Sequence, residues 1–80
     1  MNTNERIKKV ISNIVNLPEI QISDTDTLLD LGITSLNILE LAYDIGDEFV
    51  DVRFYNQLKE IDENITVEQI TTKVELLKEI

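Results

Sequence analysis

The side chains in this sequence that could do chemistry are mainly hydroxyls and carboxylates, because the chain contains neither cysteine nor histidine. These two absences exclude a thiolate nucleophile, an imidazole base and the usual zinc ligands. Among the hydroxyls, Ser35 is distinguished by its place at the end of a long loop, at the predicted first turn of a helix. We therefore expect no catalytic residues and no enzyme activity from this chain.

The carboxylates fit neither a metal site nor a catalytic pair. A run of acids begins like a calcium loop at Asp24. Such a loop needs an oxygen donor, a glycine and a bidentate glutamate where this chain has Leu28, Leu29 and Ser35. The other acids lie on a predicted exposed helix surface, where no burial would shift a pKa. We expect no metal site.

Length and charge limit the function further. Eighty residues build at most one core, so we expect a single domain over 1–80. The net charge of −9 argues against nucleic acid and anionic membranes and favours a basic protein partner. No base lies between Lys9 and Arg53, where the acids are Glu19, Asp24, Asp26, Asp30, Glu40, Asp44, Asp47, Glu48 and Asp51. Because no apolar leader follows Met1, we expect a cytoplasmic protein. We also expect it to be monomeric.

Two long helices are predicted at the ends of the chain. The first spans roughly 4–16, with Asn2 and Glu5 as a capping box and Pro18 beyond its end. The last opens at a second capping box, Thr66 with Gln69. Both show apolar residues at helical spacing, namely Ile7, Val10, Ile11 and Ile14 in the first and Val67, Ile70, Val74 and Leu77 in the last.

The region between these helices contains a long loop and two further helices. Residues 19–34 carry six apolar residues among turn-formers, which predicts a loop lying on the core, and Gly32 offers a positive φ without strain. A second long helix is predicted from Ser35 to about Phe49, with Thr34 able to cap it. A weaker pattern predicts a short helix over roughly 55–62. The fold class is therefore all-α, a small four-helix bundle of three long helices and one short one.

The second helix has an apolar arc and an acidic stripe. At about 100° per residue, the apolar arc contains Leu41, Ile45, Ile38, Phe49, Ala42, Leu39, Tyr43 and Leu36. The opposite arc contains Asn37, Glu40, Asp44, Asp47 and Glu48. We expect the apolar arc to be buried, with Leu36 partly exposed at its border, and the acidic stripe to face solvent.

The segment Leu31-Gly32-Ile33-Thr34-Ser35-Leu36 resembles the attachment motif of the acyl carrier protein family, which includes the peptidyl carrier domains of modular synthetases. That motif is a Leu-Gly-x-x-Ser-Leu turn followed by an amphipathic acidic helix. The resemblance extends over essentially the whole chain, from the first helix to Thr66-Val67 at the start of the last. Thr34 stands where the family often has aspartate, a substitution also common in peptidyl carriers.

The resemblance implies a function for Ser35. In such proteins the motif serine carries a covalent 4′-phosphopantetheine arm derived from coenzyme A, whose thiol holds an acyl or aminoacyl group as a thioester. The implied partners are a phosphopantetheinyl transferase and the loading and pathway enzymes, which bring basic docking patches. The implied partner-binding residues are Leu36, Asn37, Glu40, Asp44, Asp47 and Glu48.

Two functional hypotheses remain open on the sequence. The first is a stand-alone carrier in a fatty-acid, polyketide or peptide-type biosynthetic pathway, with a specialised pathway favoured because the region from Phe49 to Thr66 looks longer than in fatty-acid carriers. The second is a non-modified acidic helical adaptor that binds a basic partner through the same stripe. The mass of the intact protein separates the two.

Overall fold

The computed structural model describes residues 2–50 and 61–78 of the chain, and the regular elements in those ranges are helical. They are α1 (Thr3–Val15), a one-turn 3-10 helix (Glu19–Gln21), α2 (Ile38–Glu48) and α3 (Val67–Lys78). The same ranges contain no strand, although Thr27 and Thr66 form an isolated antiparallel bridge. The all-α class predicted from the sequence is confirmed.

The number of helices differs from the expectation in one respect. Within the described ranges there are three α-helices and a single 3-10 turn, so the four-helix count is not confirmed. The short helix expected over 55–62 lies mostly outside the described residues, and residues 61–62 are not helical. In the part of the chain that the structure describes, no helix has both the length and the apolar character needed to cross a bilayer.

Helix α1 contacts both other long helices and begins as its sequence predicts. The Asn2 side chain accepts a hydrogen bond from the Glu5 N–H at 2.8 Å. At the other end Asn16 has a left-handed backbone, φ 58°, and its N–H donates to the Ser12 carbonyl. Because asparagine tolerates this conformation, it ends the helix two residues before Pro18. Ile7, Val10 and Ile11 are buried, as their spacing predicts.

Helix α3 also follows its local signals. Thr66 and Gln69 form the predicted capping box: the Thr66 N–H donates to the Gln69 side chain at 2.9 Å, and the Gln69 N–H donates to the Thr66 hydroxyl at 3.1 Å. The seam of Val67, Ile70 and Val74 is buried, with Leu77 partly buried beside it. This seam packs against α1 to form the centre of the core.

The long loop lies on the core, as its apolar residues predict. Ile22, Leu28, Leu31 and Ile33 are buried within the same cluster as the helix seams. The Leu28 N–H donates to the Ile65 carbonyl, and the Val67 N–H donates to the Asp26 carbonyl, both at 3.0 Å. These bonds fasten the loop to the start of α3, so the loop has a defined position between the helices.

Asp24 connects the loop to α1. Its carboxylate accepts a hydrogen bond from the Asn4 amide at 2.8 Å and lies 3.1 Å from the Lys8 ammonium. The hydrogen bond from Asn4, and then the contact with Lys8, hold the pKa of the Asp24 carboxyl below its usual value. Asn4 also donates to the hydroxyl of Thr71, a buried residue of α3, so the contact joins three elements.

We predict that Asp24→Asn lowers stability at neutral pH by about 1 kcal/mol or less, since the carboxylate is half exposed. A lowered native-state pKa gives stability that is present above the unfolded-state pKa and lost as the pH falls through the native-state pKa. The difference between variant and wild type should therefore close in acid. Thermal unfolding at neutral pH and at about pH 2 measures it.

The matched control is Glu75→Gln, which neutralises an exposed carboxylate on α3. This variant should unfold like the wild type at both pH values. A loss of stability that is equal in the two variants, or that persists for Asp24→Asn in acid, would contradict the assignment.

Candidate functional site

A short helical turn positions the segment that leads to Ser35. Thr27 and Asp30 cap its start reciprocally: the Thr27 N–H donates to the Asp30 carboxylate at 3.1 Å, and the Asp30 N–H donates to the Thr27 hydroxyl at 3.0 Å. The turn ends at Gly32, whose φ is 85°. The sequence analysis did not use the Thr27-x-x-Asp30 spacing, although it is a recognisable capping signal.

The bonds at the end of this turn explain why glycine stands there. The Ile33 N–H donates to the Leu28 carbonyl at 2.8 Å, and the Gly32 N–H donates to the Leu29 carbonyl at 3.0 Å. This is the Schellman pattern, in which the residue after the helical turn adopts the left-handed conformation that glycine takes without strain. The positive φ expected at Gly32 is confirmed.

Ser35 lies in an exposed turn that follows directly. Ile33 is buried, and the chain then turns so that the Asn37 N–H donates to the Thr34 carbonyl at 2.8 Å. The Thr34 hydroxyl donates to the Asn37 side-chain oxygen at 3.3 Å. The Ser35 side chain, between these two residues, is exposed to solvent. The serine hydroxyl is therefore open to an external enzyme.

The prediction that α2 begins at Ser35 is wrong by three residues, since the helix begins at Ile38. The Asn37 N–H donates to the Thr34 carbonyl, so residues 35–37 form a tight turn. The first helical hydrogen bond follows this turn and runs from the Leu41 N–H to the Asn37 carbonyl. Thr34 also does not cap the helix with its side chain, because its hydroxyl is bonded to Asn37.

The N-terminus of α2 suits a phosphate. The residue at its cap, Asn37, makes no side-chain hydrogen bond to the helix backbone. The first N–H groups of a helix have no partner within it, and they carry the positive end of the helix dipole. A phosphate on Ser35, three residues before Ile38, would lie at this end of the helix. The residues present therefore fit a phosphodiester at Ser35.

The buried face of α2 is narrower than the predicted arc. Ile38, Leu41, Ala42, Ile45 and Phe49 are buried. At about 100° per residue these five span an arc of about 100°. The expectation that the whole apolar arc is buried is wrong at its far side, where Leu39 is 50% exposed and Tyr43 is 53% exposed. Packing against one neighbouring helix covers only part of a helix surface, and α1 is the helix that α2 contacts most.

The expected partner-binding residues are distributed over the rest of the helix surface. Leu36 is 92% exposed beside Ser35, and Asn37 is half-buried in the turn. Glu40 and Asp47 are exposed and Asp44 is partly so. These three carboxylates make no ion pair with other described residues. The exposed surface of α2 thus combines an acidic strip with an apolar strip formed by Leu36, Leu39 and Tyr43.

Glu48 differs from the other carboxylates because it is bound within the chain. Its carboxylate lies 3.0 Å from the Arg6 guanidinium, which also donates to the Glu48 backbone carbonyl. The same guanidinium stacks over the Phe49 ring, 4.2 Å from its centre. This contact, the Arg6 clamp, fixes the C-terminal end of α2 to α1. Its two partners lie 42 positions apart, so no local pattern in the sequence predicts the contact.

The other two serines have different environments. The Ser12 hydroxyl is half-buried and donates to the Leu17 carbonyl. Ser23 is exposed, but it lies in the turn closed by Asp26 and does not precede a long helix. Among the described residues no group of three or more potential ligands is placed to hold a metal ion.

Residues 5–73 match the family described as the phosphopantetheine attachment site, and the chain belongs to that family. Comparisons with curated proteins and with solved structures gave no match. Membership establishes a carrier function based on covalently bound 4′-phosphopantetheine, and it implies interaction with a phosphopantetheinyl transferase and with biosynthetic enzymes. Carrier domains of this kind are generally non-catalytic.

We predict that Glu48→Gln destabilises the fold by about 1 kcal/mol, because it removes the charge that pairs with a partly buried guanidinium. Arg6→Ala should cost more, since it removes both hydrogen bonds and the stacking on Phe49. Chemical denaturation of each variant measures the free energy of unfolding.

Asp44→Asn is the control, since it removes the same charge from the middle of the same helix, away from the helix ends and where no ion pair with a described residue is present. It should leave the free energy of unfolding within about 0.5 kcal/mol of the wild type. Equal effects of Asp44→Asn and Glu48→Gln would show that the Arg6 clamp contributes nothing.

Proposed function

We propose that Ser35 is the attachment residue and that the chain carries acyl or aminoacyl groups as thioesters between partner enzymes. The observation that carries the proposal is an exposed serine in a turn pinned by Ile33 and closed from Thr34 to Asn37, directly before an uncapped helix. Membership in the family implies a covalent phosphopantetheine arm, and the geometry of the turn supports Ser35 as the residue that carries it.

The attachment reaction needs little from the carrier itself. A bond forms between the Ser35 oxygen and the coenzyme A phosphorus that bears the pantetheine group. The bond from that phosphorus to the adenosine bisphosphate leaving group breaks. The hydroxyl proton passes to a base on the transferase. The carrier contributes an accessible hydroxyl and the N–H groups and dipole of α2, which stabilise the phosphodiester afterwards. This division of work is consistent with a chain that has no cysteine or histidine.

We propose the surface of α2 beside Ser35 as the docking site for the transferase and pathway enzymes. We call this the docking surface, and it comprises Leu36, Asn37, Glu40, Asp44, Asp47 and Glu48. Its support is the combination of exposed Leu36 with carboxylates that have no ion pair among the described residues. Glu48 stands at its edge, where it also binds Arg6. A basic partner patch with an apolar contact would complement this surface.

We also propose a single, stand-alone carrier domain over 1–80, monomeric and cytoplasmic, in a specialised polyketide or peptide-type pathway. The choice of pathway rests on the region from Phe49 to Thr66, which looks longer in sequence than in fatty-acid carriers. It also agrees with the outward position of Leu39 and Tyr43, which do not form interior walls for a long acyl chain. Short or polar cargo would then stay largely outside the bundle.

We predict that coexpression with a broad-specificity phosphopantetheinyl transferase adds one arm to the wild-type protein and none to Ser35→Ala. Intact-protein mass measures the gain, and peptide mapping locates it. The reason is that Ser35 alone among the three serines combines exposure with a position directly before a long helix.

Ser23→Ala is the control, because it removes another exposed serine hydroxyl and should leave the mass gain unchanged. Circular dichroism should show the same helix content in both variants. An arm found on Ser12 or Ser23 would contradict the assignment. A wild-type chain that stays unmodified would favour the acidic adaptor instead.

We predict that Glu40→Lys combined with Asp47→Lys slows association with the transferase, because the docking surface then repels basic residues. The association rate of the wild type should fall as salt shortens the Debye length from about 10 Å at 0.1 M to about 3 Å at 1 M. Stopped-flow measurement over a salt series gives both effects.

The control changes the same net charge elsewhere, with Glu19→Lys combined with Glu75→Lys on exposed positions outside the docking surface. It should retain most of the wild-type rate, since only the total charge differs. If both double variants slow association equally, the net charge rather than α2 guides the partner.

A further inference from the structure

A small cleft lies between the last turn of α1 and the turn that carries Ser35. Its volume is about 250 Å³, and it is lined by Ile14, Val15, Leu31, Gly32, Ile33 and Asn37. The lining residues come from the chain on both sides of Ser35, because Ile33 lies two residues before it and Asn37 two residues after it. The hydrogen bond from the Asn37 N–H to the Thr34 carbonyl keeps these flanks together. The cleft is thus directly beside the proposed attachment point.

Apolar side chains and exposed polar groups both line the cleft. Ile14 and Val15 are partly buried residues that pack against the core. At Gly32 an added side-chain carbon would meet nothing within 4 Å, so the backbone there borders open space. At the edge, the Asn37 side-chain oxygen accepts from the Thr34 hydroxyl, which orients its amide group. The combination suits a compact group that has methyls on one side and polar atoms on the other.

We propose that this cleft holds the pantoyl part of the phosphopantetheine arm while the carrier is not docked to an enzyme. The inference rests on the proposed attachment to Ser35. The pantoyl unit follows the phosphate and bears two geminal methyl groups, a hydroxyl and an amide. Its methyls match Ile14 and Val15, and its polar groups match the Asn37 amide. Because the tether makes binding intramolecular, even a weak site is occupied for a substantial part of the time.

The arm would then lie on the α1 side of Ser35, where Asn37 is the one docking-surface residue that lines the cleft. The pantoyl group is next to the phosphate, so the thiol at the other end of the arm, with its cargo, extends beyond the cleft into solvent. A partner that binds α2 would therefore find Leu36 and the carboxylates unobstructed and the thioester accessible. Release of the pantoyl group from the cleft would then deliver the thioester to the partner.

The test is an NMR study of the purified protein carrying the arm, compared with Ser35→Ala. We expect nuclear Overhauser contacts between the geminal methyl protons and the side chains of Ile14 and Val15, with shift changes at Gly32. Contacts to Ile61, Ile65 or Val74 instead would place the arm against α3 and overturn the proposal, as would an arm without contacts to the protein. If mass spectrometry finds no arm at Ser35, the proposed function itself has failed.

Val15→Thr tests the apolar wall with little change in shape. It should move the geminal methyl shifts toward those of free phosphopantetheine, with loss of the contacts to Ile14, while the amide spectrum of the helices stays native. Val50→Thr is the matched control at an exposed position and should leave the arm unchanged. If the chemical shifts of the geminal methyl groups are unchanged in Val15→Thr, or change equally in both variants, binding in the cleft is contradicted.

Discussion

The burial of Leu28 and Ile33 on either side of Gly32 is the constraint on which the position of Ser35 depends. Both side chains are almost fully buried, and the Ile33 N–H is bonded to the Leu28 carbonyl. Burying one such side chain is worth about 1.5–3 kcal/mol, which is comparable to the net stability of about 3–5 kcal/mol typical of a domain of this size. Because Ile33 is buried in the core, the turn that follows it runs along the surface of the protein, and Ser35 is exposed in that turn.

The opposite end of α2 is held by a separate contact. The Arg6 clamp bonds Glu48 and covers Phe49, so α2 is fixed to the bundle at its C-terminal end as well as through the serine turn. One carboxylate of the acidic stripe is thereby used for the fold. Glu40, Asp44 and Asp47 make no ion pair with the described residues, so the docking role proposed for them does not compete with this anchor.

The sequence predicted those features of the fold that depend on residues close together in the chain. The caps at Asn2 and at Thr66 with Gln69, and the apolar faces of α1 and α3, need only neighbours in the chain. The start of α2 was misplaced because the turn before it depends on Ile33 being buried by distant residues. Leu39 and Tyr43 were misplaced because the packing partner decides which part of a broad apolar arc is covered. The attachment role of Ser35 stays a prediction that rests on the resemblance of its flanking residues to a known motif, since a serine hydroxyl by itself is chemically ordinary.

The carrier role proposed for the chain requires that Ser35 holds a loaded arm in the cell. The most direct measurement is mass spectrometry of the protein isolated from its own cells, under conditions that preserve thioesters, on the peptide that contains Ser35. We expect 4′-phosphopantetheine on Ser35, partly as a thioester whose acyl or aminoacyl group identifies the pathway. A Ser35 peptide that is unmodified throughout, in cells where the protein is abundant, would contradict it.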